Sequence, residues 1–144
     1  MIEIEPGSMW IGNASDARNP RSLFDCEIAA VMDLAWDEPA AQLPREIIYC
    51  RFPLVDGDGN STEILTLAVR TLVELYSCGI RTLVACSAGM SRSPAVLAAA
   101  LSVIRNEDAD AVLGKIGQRR SLEVSPPLWE QLIAILPAVH RPSQ

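Results

Sequence analysis

Apolar positions recur along this chain with two periods, one of two residues and one of three to four, and segments of each kind alternate. Ile2-Glu3-Ile4 alternates as a half-buried strand does, and Pro6-Gly7 predicts a turn. Met9–Gly12 predicts a second strand, and residues 15–19 a loop or short turn. Asn19-Pro20 predicts a helix start with Pro20 at its first position and Leu23, Phe24 and Ile28 on its apolar side. Ala29–Trp36 reads as a strand ended by Asp37-Glu38-Pro39, and residues 40–43 as a short turn of helix. Ile47–Phe52 reads as a further strand, ended by Pro53. After a Gly/Asp-rich loop over residues 54–61, Ser61 or Thr62 caps a helix whose apolar positions are Leu65, Leu67, Ala68, Leu72, Val73 and Leu75, stopped by Gly79. Asp108 caps another helix, with Ala111, Val112 and Ile116 apolar. Residues 119–124 read as a loop, and Ser125-Pro126-Pro127 opens a last helix ended by Pro137. Strands alternating with helices imply an α/β fold: a central, mostly parallel, twisted sheet of about five strands flanked by helices.

The stretch from Ile80 to Arg105 carries the chemistry. Leu83-Val84-Ala85 reads as a short buried strand, Ser87-Ala88-Gly89 as a tight loop, and the run from Pro94 through Leu101 to Arg105 as a helix, with Pro94 in its first turn. The first N–H groups of a helix have no internal partner and carry partial positive charge. A loop of small residues turns further N–H groups inward, so Ser87, Ala88, Gly89, Met90, Ser91 and Arg92 form a cradle for a tetrahedral anion. Arg92 closes it with a fork suited to phosphate, and the same field favours a nucleophilic thiolate at Cys86.

Composition narrows the reading. A chain of 144 residues, 49% hydrophobic and 21% charged, suits one domain, residues 1–144, with its own core. A net charge of −6 argues against a general binder of nucleic acid or anionic membrane. The start, Met1-Ile-Glu-Ile-Glu, lacks the features of a secretory signal, and the apolar run at residues 94–101 is too short to span a bilayer, so a cytoplasmic location is expected. Cys26, Cys50, Cys78 and Cys86 match no zinc spacing. The first three read as structural thiols, and sequence does not choose a disulfide partner for Cys86. The single histidine, His140, lies in a Pro-flanked tail and reads as a solvated residue rather than a catalytic base.

Cys86-x5-Arg92-Ser93, with Gly89 between, an apolar strand before and an apolar helix after, resembles the signature of the cysteine-dependent protein phosphatases, and the wording Cys-Ser-Ala-Gly-Met-Ser-Arg-Ser is closest to the dual-specificity phosphatases. The resemblance extends over nearly the whole chain, from the apolar pair and Gly12 near the start to the Ser-Pro pair, aromatic and Gln-Leu of the last helix. It implies a phosphatase fold and hydrolysis of phosphoprotein monoesters through a phosphocysteine on Cys86, with Ser93 donating to the departing thiolate. It also implies an acid some thirty residues upstream, on a loop after a strand ending in proline. Phe52-Pro53-Leu54-Val55-Asp56 fits that description, and Asp58 remains an alternative two residues on. Asp-Gly pairs are also ordinary turn residues. Asp56-Gly-Asp58-Gly-Asn60 begins like a calcium loop, but position six is Ser61 and position twelve Leu67, where that loop needs Gly and Glu. No metal or cofactor is expected.

One position departs from the resembling family, which carries His immediately before the Cys; here it is Ala85, which supplies no donor to the loop and implies a pH optimum above the family norm. The loop interior has no lysine, which favours phosphorylated protein or peptide substrates over inositol phosphates. Arg119 and Arg120 read as solvated and stand outside the site. A monomer acting on phosphotyrosine, and on phosphoserine or phosphothreonine, is the expectation. The alternatives are a catalytically silent phosphate-binding module and a sulfurtransferase, the latter disfavoured by Arg92-Ser93 and Asp56.

Overall fold

The computed structural model describes residues 1–140. Its elements in chain order are β1 (Ile2–Glu5), β2 (Met9–Gly12), α1 (Ala14–Ala17), α2 (Pro20–Asp25), β3 (Ala30–Ala35), β4 (Ile48–Leu54), α3 (Thr62–Ser77), β5 (Thr82–Ala85), α4 (Arg92–Arg105), α5 (Ala109–Arg119) and α6 (Pro126–Val139). The five strands form one sheet in the order β1-β2-β5-β3-β4. Only β1 and β2 pair antiparallel; β2 with β5, β5 with β3 and β3 with β4 are parallel. The expected five-stranded, mostly parallel α/β sheet is the observed one.

Parallel strands need crossover helices, which cover both faces. The two-residue strand period then sorts the core into two clusters. Met9, Ile11, Met32, Leu34, Val84 and Cys86 face the side of α3, α4, α5 and α6. Trp10, Val31, Leu83 and Ala85 face the other, with Ala17 of α1, Leu23 of α2 and Ile28. The stretch from Arg92 to Ser102 of α4 is buried at every position, because α4 lies between the sheet and the outer helices. Its alanines, Ala95, Ala98, Ala99 and Ala100, let those neighbours come close. The N-terminus of α4 consequently meets the C-terminal ends of β5, β3 and β4, where open parallel sheets place ligands.

Local chemistry sets the element ends. Ser61 caps α3, its side chain accepting from the Ile64 N–H, and Asp108 caps α5 by accepting from Ala111. Helix α3 stops at Gly79, whose φ is +71°, with the Ile80 N–H on the Leu75 carbonyl and the Gly79 N–H on Tyr76. Asn106 ends α4 the same way at φ +51°.

Several expectations are corrected. Residues 14–17 form a one-turn helix, because Asn13 and Asp16 make a reciprocal capping box. Residues 40–43 are extended coil rather than helix; Pro39 and Pro44 bracket them, and the Ala41 N–H is drawn out to the Tyr49 hydroxyl at 3.0 Å. Strand β4 runs through Pro53 to Leu54, since an edge strand tolerates a missing N–H. Helix α4 begins at Arg92, two residues before Pro94, and α5 includes Arg119. Helix α6 passes Pro137 and ends at Val139; the carbonyl that Pro137 leaves without its i+4 N–H belongs to Ile133, a residue 38% exposed rather than buried. Phe24 and Leu67 point to solvent, and Val69 fills the core position of α3 instead. His140 is exposed and closes α6 with its N–H on the Leu136 carbonyl, away from the site described below.

Asp33 is the buried acid of the sheet. It accepts from the Tyr49 hydroxyl at 2.5 Å and from the Ala35 N–H at 3.0 Å. Burial, then the Asp33 bond, push the Tyr49 hydroxyl above its ordinary range. The neutral phenol therefore stabilises the fold below the ordinary tyrosine range, and that contribution is lost as pH rises through the raised value. Tyr49→Phe leaves Asp33 a donor short and is expected to destabilise the protein by about 1–3 kcal/mol, measured by urea unfolding.

Candidate active site

The segment Cys86–Ser91 links β5 to α4 and is fixed from outside, through its carbonyls. The Ala14 N–H donates to the Ser87 carbonyl at 3.2 Å, Arg120 Nη2 to the Ala88 carbonyl at 3.3 Å, and the Glu123 N–H to the Met90 carbonyl at 2.9 Å. The Ser125 N–H donates to Ser91 Oγ at 3.0 Å. With the carbonyls turned outward, the amides turn inward: among the described residues, the N–H groups of Ser87 to Arg92 have no acceptor. Gly89 makes this shape possible. Its φ is +72°, and a Cβ there would lie 2.8 Å from the carbonyl oxygen of Gly12 at the end of β2. The Gly12 carbonyl also accepts from the Cys86 N–H at 3.3 Å, so β2 holds the loop at two points.

Cys86 is 2% exposed, at the floor of a cleft of about 220 Å³. Its sulfur lies 3.3 Å from Ser93 Oγ and accepts from the Ser93 N–H at 3.4 Å. Ser93, at the start of α4, thus brings both its hydroxyl and its backbone N–H to the sulfur.

Arg92 is 5% exposed. Nη1 donates to the Leu54 carbonyl and to Asp37 Oδ1, each at 2.8 Å. Nε is buried and has no partner among the described residues. A buried guanidinium with an unmade bond is costly unless a ligand completes it. The protein holds the fork at Nη1 and leaves Nε without a partner among the described residues, and the side chain lines the cleft, which matches an anion completing the fork.

Asp37 was not foreseen from sequence, where it reads only as a strand terminator. It receives both Arg92 Nη1 and, at 2.8 Å, the Ser87 hydroxyl. The Arg92 bond, with the Ser87 hydroxyl adding to it against a partial penalty of burial, brings its carboxyl down to about 2. The available signal was its place: a polar residue just past the C-terminal end of a buried strand. Asp56 lines the same cleft, and its Oδ1 accepts from Ser91 Oγ at 2.5 Å. Asp58 is exposed and does not line it.

The loop carrying Asp56 is clamped by a second unforeseen residue, Asn60. Its Oδ1 accepts from the Val55 N–H at 2.9 Å, and its Nδ2 donates to the carbonyls of Val55 and Gly57 at 3.0 and 3.1 Å. Gln131 of α6 donates to the Asn60 carbonyl at 3.1 Å. Asp56 and Asn60 therefore turn to different partners rather than to a common centre. Glu123, also unforeseen, completes the rim. Arg119 bonds the Ile4 carbonyl, away from the cleft, while Arg120 steadies the loop from outside. Cys26, Cys50 and Cys78 are free thiols, and none lines the cleft.

No protein-family model matches the chain, and no curated protein matches it. Solved structures do. Human DUSP28 matches at TM-score 0.84 and 22% identity, over 96% of this chain and 97% of that one. DUSP15 matches at 0.83 and 22%, over 98% and 90%. The human tyrosine phosphatase-like serine/threonine/tyrosine-interacting protein matches at 0.82 and 17%, over 94% and 95%. The chain thus has the fold of the dual-specificity phosphatases, as the sequence resemblance implies.

Gly89→Ala is expected to push the loop off Gly12 and lower stability by about 1–3 kcal/mol, measured by thermal unfolding. The lowered Asp37 carboxyl contributes stability above the ordinary aspartate range that is lost as pH falls towards about 2. Asp37→Asn is expected to flatten the dependence of melting temperature on pH between about 4 and 2. The effect is modest, because the Asp37 side chain is 56% exposed and solvent screens it.

Proposed function

We propose that the protein is a cysteine-dependent phosphatase acting on phosphorylated protein side chains, phosphotyrosine and, in the same cleft, phosphoserine or phosphothreonine. The observation that carries this reading is the set of N–H groups without a partner among the described residues, those of Ser87 to Arg92 and Arg92 Nε, in the loop and helix start that line one cleft with Cys86.

In this mechanism the loop amides and the open edge of Arg92 hold the non-bridging oxygens of the phosphoryl group. The Cys86 thiolate attacks phosphorus in line with the leaving oxygen. The P–O bond breaks as the S–P bond forms, and Asp56 gives its proton to the departing alkoxide or phenoxide. Oδ1 of Asp56 accepts from Ser91, which leaves Oδ2 as the oxygen that carries the proton. Water then attacks the phosphocysteine, Asp56 takes its proton, and Ser93 donates to the sulfur as it leaves. Inorganic phosphate is released and the thiolate restored. The charge developed on the equatorial oxygens meets fixed donors already in place, so the mechanism asks nothing of a metal.

A second reading is a phosphate-binding module without turnover. It is favoured by two observations: Asp37 occupies part of the Arg92 fork, and Ala85 supplies no side-chain donor beneath the loop.

Hydrolysis of para-nitrophenyl phosphate and of a phosphotyrosine peptide, with EDTA present, separates the readings. Turnover by the wild type, its loss in Cys86→Ser, a fall of about 100-fold or more in Asp56→Asn with the peptide, and near-wild-type rates in Asp58→Asn are expected. Phosphopeptide binding by a wild type that turns over nothing would establish the module instead.

A further inference from the structure

The cleft that binds phosphate is rimmed by negative charge. Asp37 stands at the Ser87 end of the loop, joined to its hydroxyl. Asp56 stands at the Ser91 end, joined to that hydroxyl. Glu123 stands beside Met90, whose carbonyl its N–H holds. Three acidic side chains thus line the cleft with a single cation, Arg92; Asp37 is paired with it and Asp56 carries the proton when it acts as the acid, so the charge left free at the rim is that of Glu123. Arg120, which reaches the Ala88 carbonyl from outside, does not line the cleft. The ring alone would specify no anion; the buried Arg92, which lines the cleft and whose Nε has no partner among the described residues, does.

The two sets of charge act at different depths. The amides and Arg92 lie at the floor with Cys86, where the phosphoryl group sits, and Arg92 is buried. Asp56 and Glu123 are exposed at the mouth. What meets them is the part of the substrate that flanks the phosphate. An acidic flank, or a second phosphate on the same ligand, meets like charge there. A lysine or arginine meets attraction from the ring and from a chain of net charge −6. Such exposed charges interact weakly one by one and are screened by salt, but several act on the same flank.

We infer that the preferred substrate is a phosphorylated residue set in a basic peptide segment, and that Glu123 is a specificity-determining residue at the mouth. The inference deepens the phosphatase reading and rests on it only as far as phosphate occupies the floor of the cleft.

Cys86→Ser protein, which cannot turn substrate over, tests it by fluorescence titration. Three phosphotyrosine peptides of equal length carry flanking lysines, alanines or glutamates; the unphosphorylated lysine peptide and inorganic phosphate are the controls. The lysine-flanked phosphopeptide is expected to bind about 10-fold more tightly than the glutamate-flanked one at low salt, with the gap closing as salt rises to about 0.5 M. Glu123→Lys is expected to shrink the gap, with the melting temperature of the variant confirming that it is folded. Equal affinities for the three phosphopeptides, alongside measurable phosphate binding, would overturn the inference and leave the phosphatase reading standing. An unphosphorylated lysine peptide that binds as tightly as its phosphorylated form would also overturn it, by making the attraction independent of the cleft. Absence of binding by every phosphopeptide and by phosphate would remove the reading beneath it as well.

Discussion

A guanidinium removed from water with one of its N–H groups unsatisfied is an expensive object, and the neighbourhood of Arg92 is arranged around keeping it there. Its outer edge is held by the Leu54 carbonyl at the end of β4 and by Asp37 just past the end of β3. Its backbone is the first turn of α4, a helix with no solvated face over eleven of its residues, so it cannot rotate to release the side chain. The sheet order serves the same end: β5, which delivers Cys86, lies beside β3, and β3 beside β4, so three strand ends converge on one side chain. The cost of burying that guanidinium without a full set of partners is what favours an anion beside it.

That arrangement explains which parts of the site were legible in the sequence. Cys86, Arg92 and Ser93 are separated by a few residues, and the strand, tight loop and helix that join them are local structures with local signals. Asp56 could be located because it follows a strand and a proline. Asp37 could not, because its meaning lies in a partner 55 positions away and its own surroundings look like the end of any strand. Asn60 is the same case at greater length: it reads as a loop residue until Gln131, 71 positions on, is seen against it. Glu123 is brought to the rim by a backbone bond to Met90, which no side-chain pattern announces.

The fold errors have a similar source. Residues 40–43 have helix-forming composition, but the Tyr49 hydroxyl takes the Ala41 N–H, and prolines on both sides deny a helix its length. Pro53 and Pro137 look like stops in the sequence, but what matters at each is whether the missing N–H leaves a buried carbonyl. On an edge strand and on the solvated side of a terminal helix it does not. Proline punctuates a chain according to what lies across from it, which is tertiary information.

The Asn60–Gln131 clamp ties the Asp56 loop to α6, the last element of the described chain. On a ribosome, the strand, loop and helix that carry Cys86 and Arg92 emerge well before α6. The Cys86–Ser91 loop takes its own outer supports from Arg120, Glu123 and Ser125, directly before α6, so a nascent chain completes both walls of the cleft only when its last described elements have emerged.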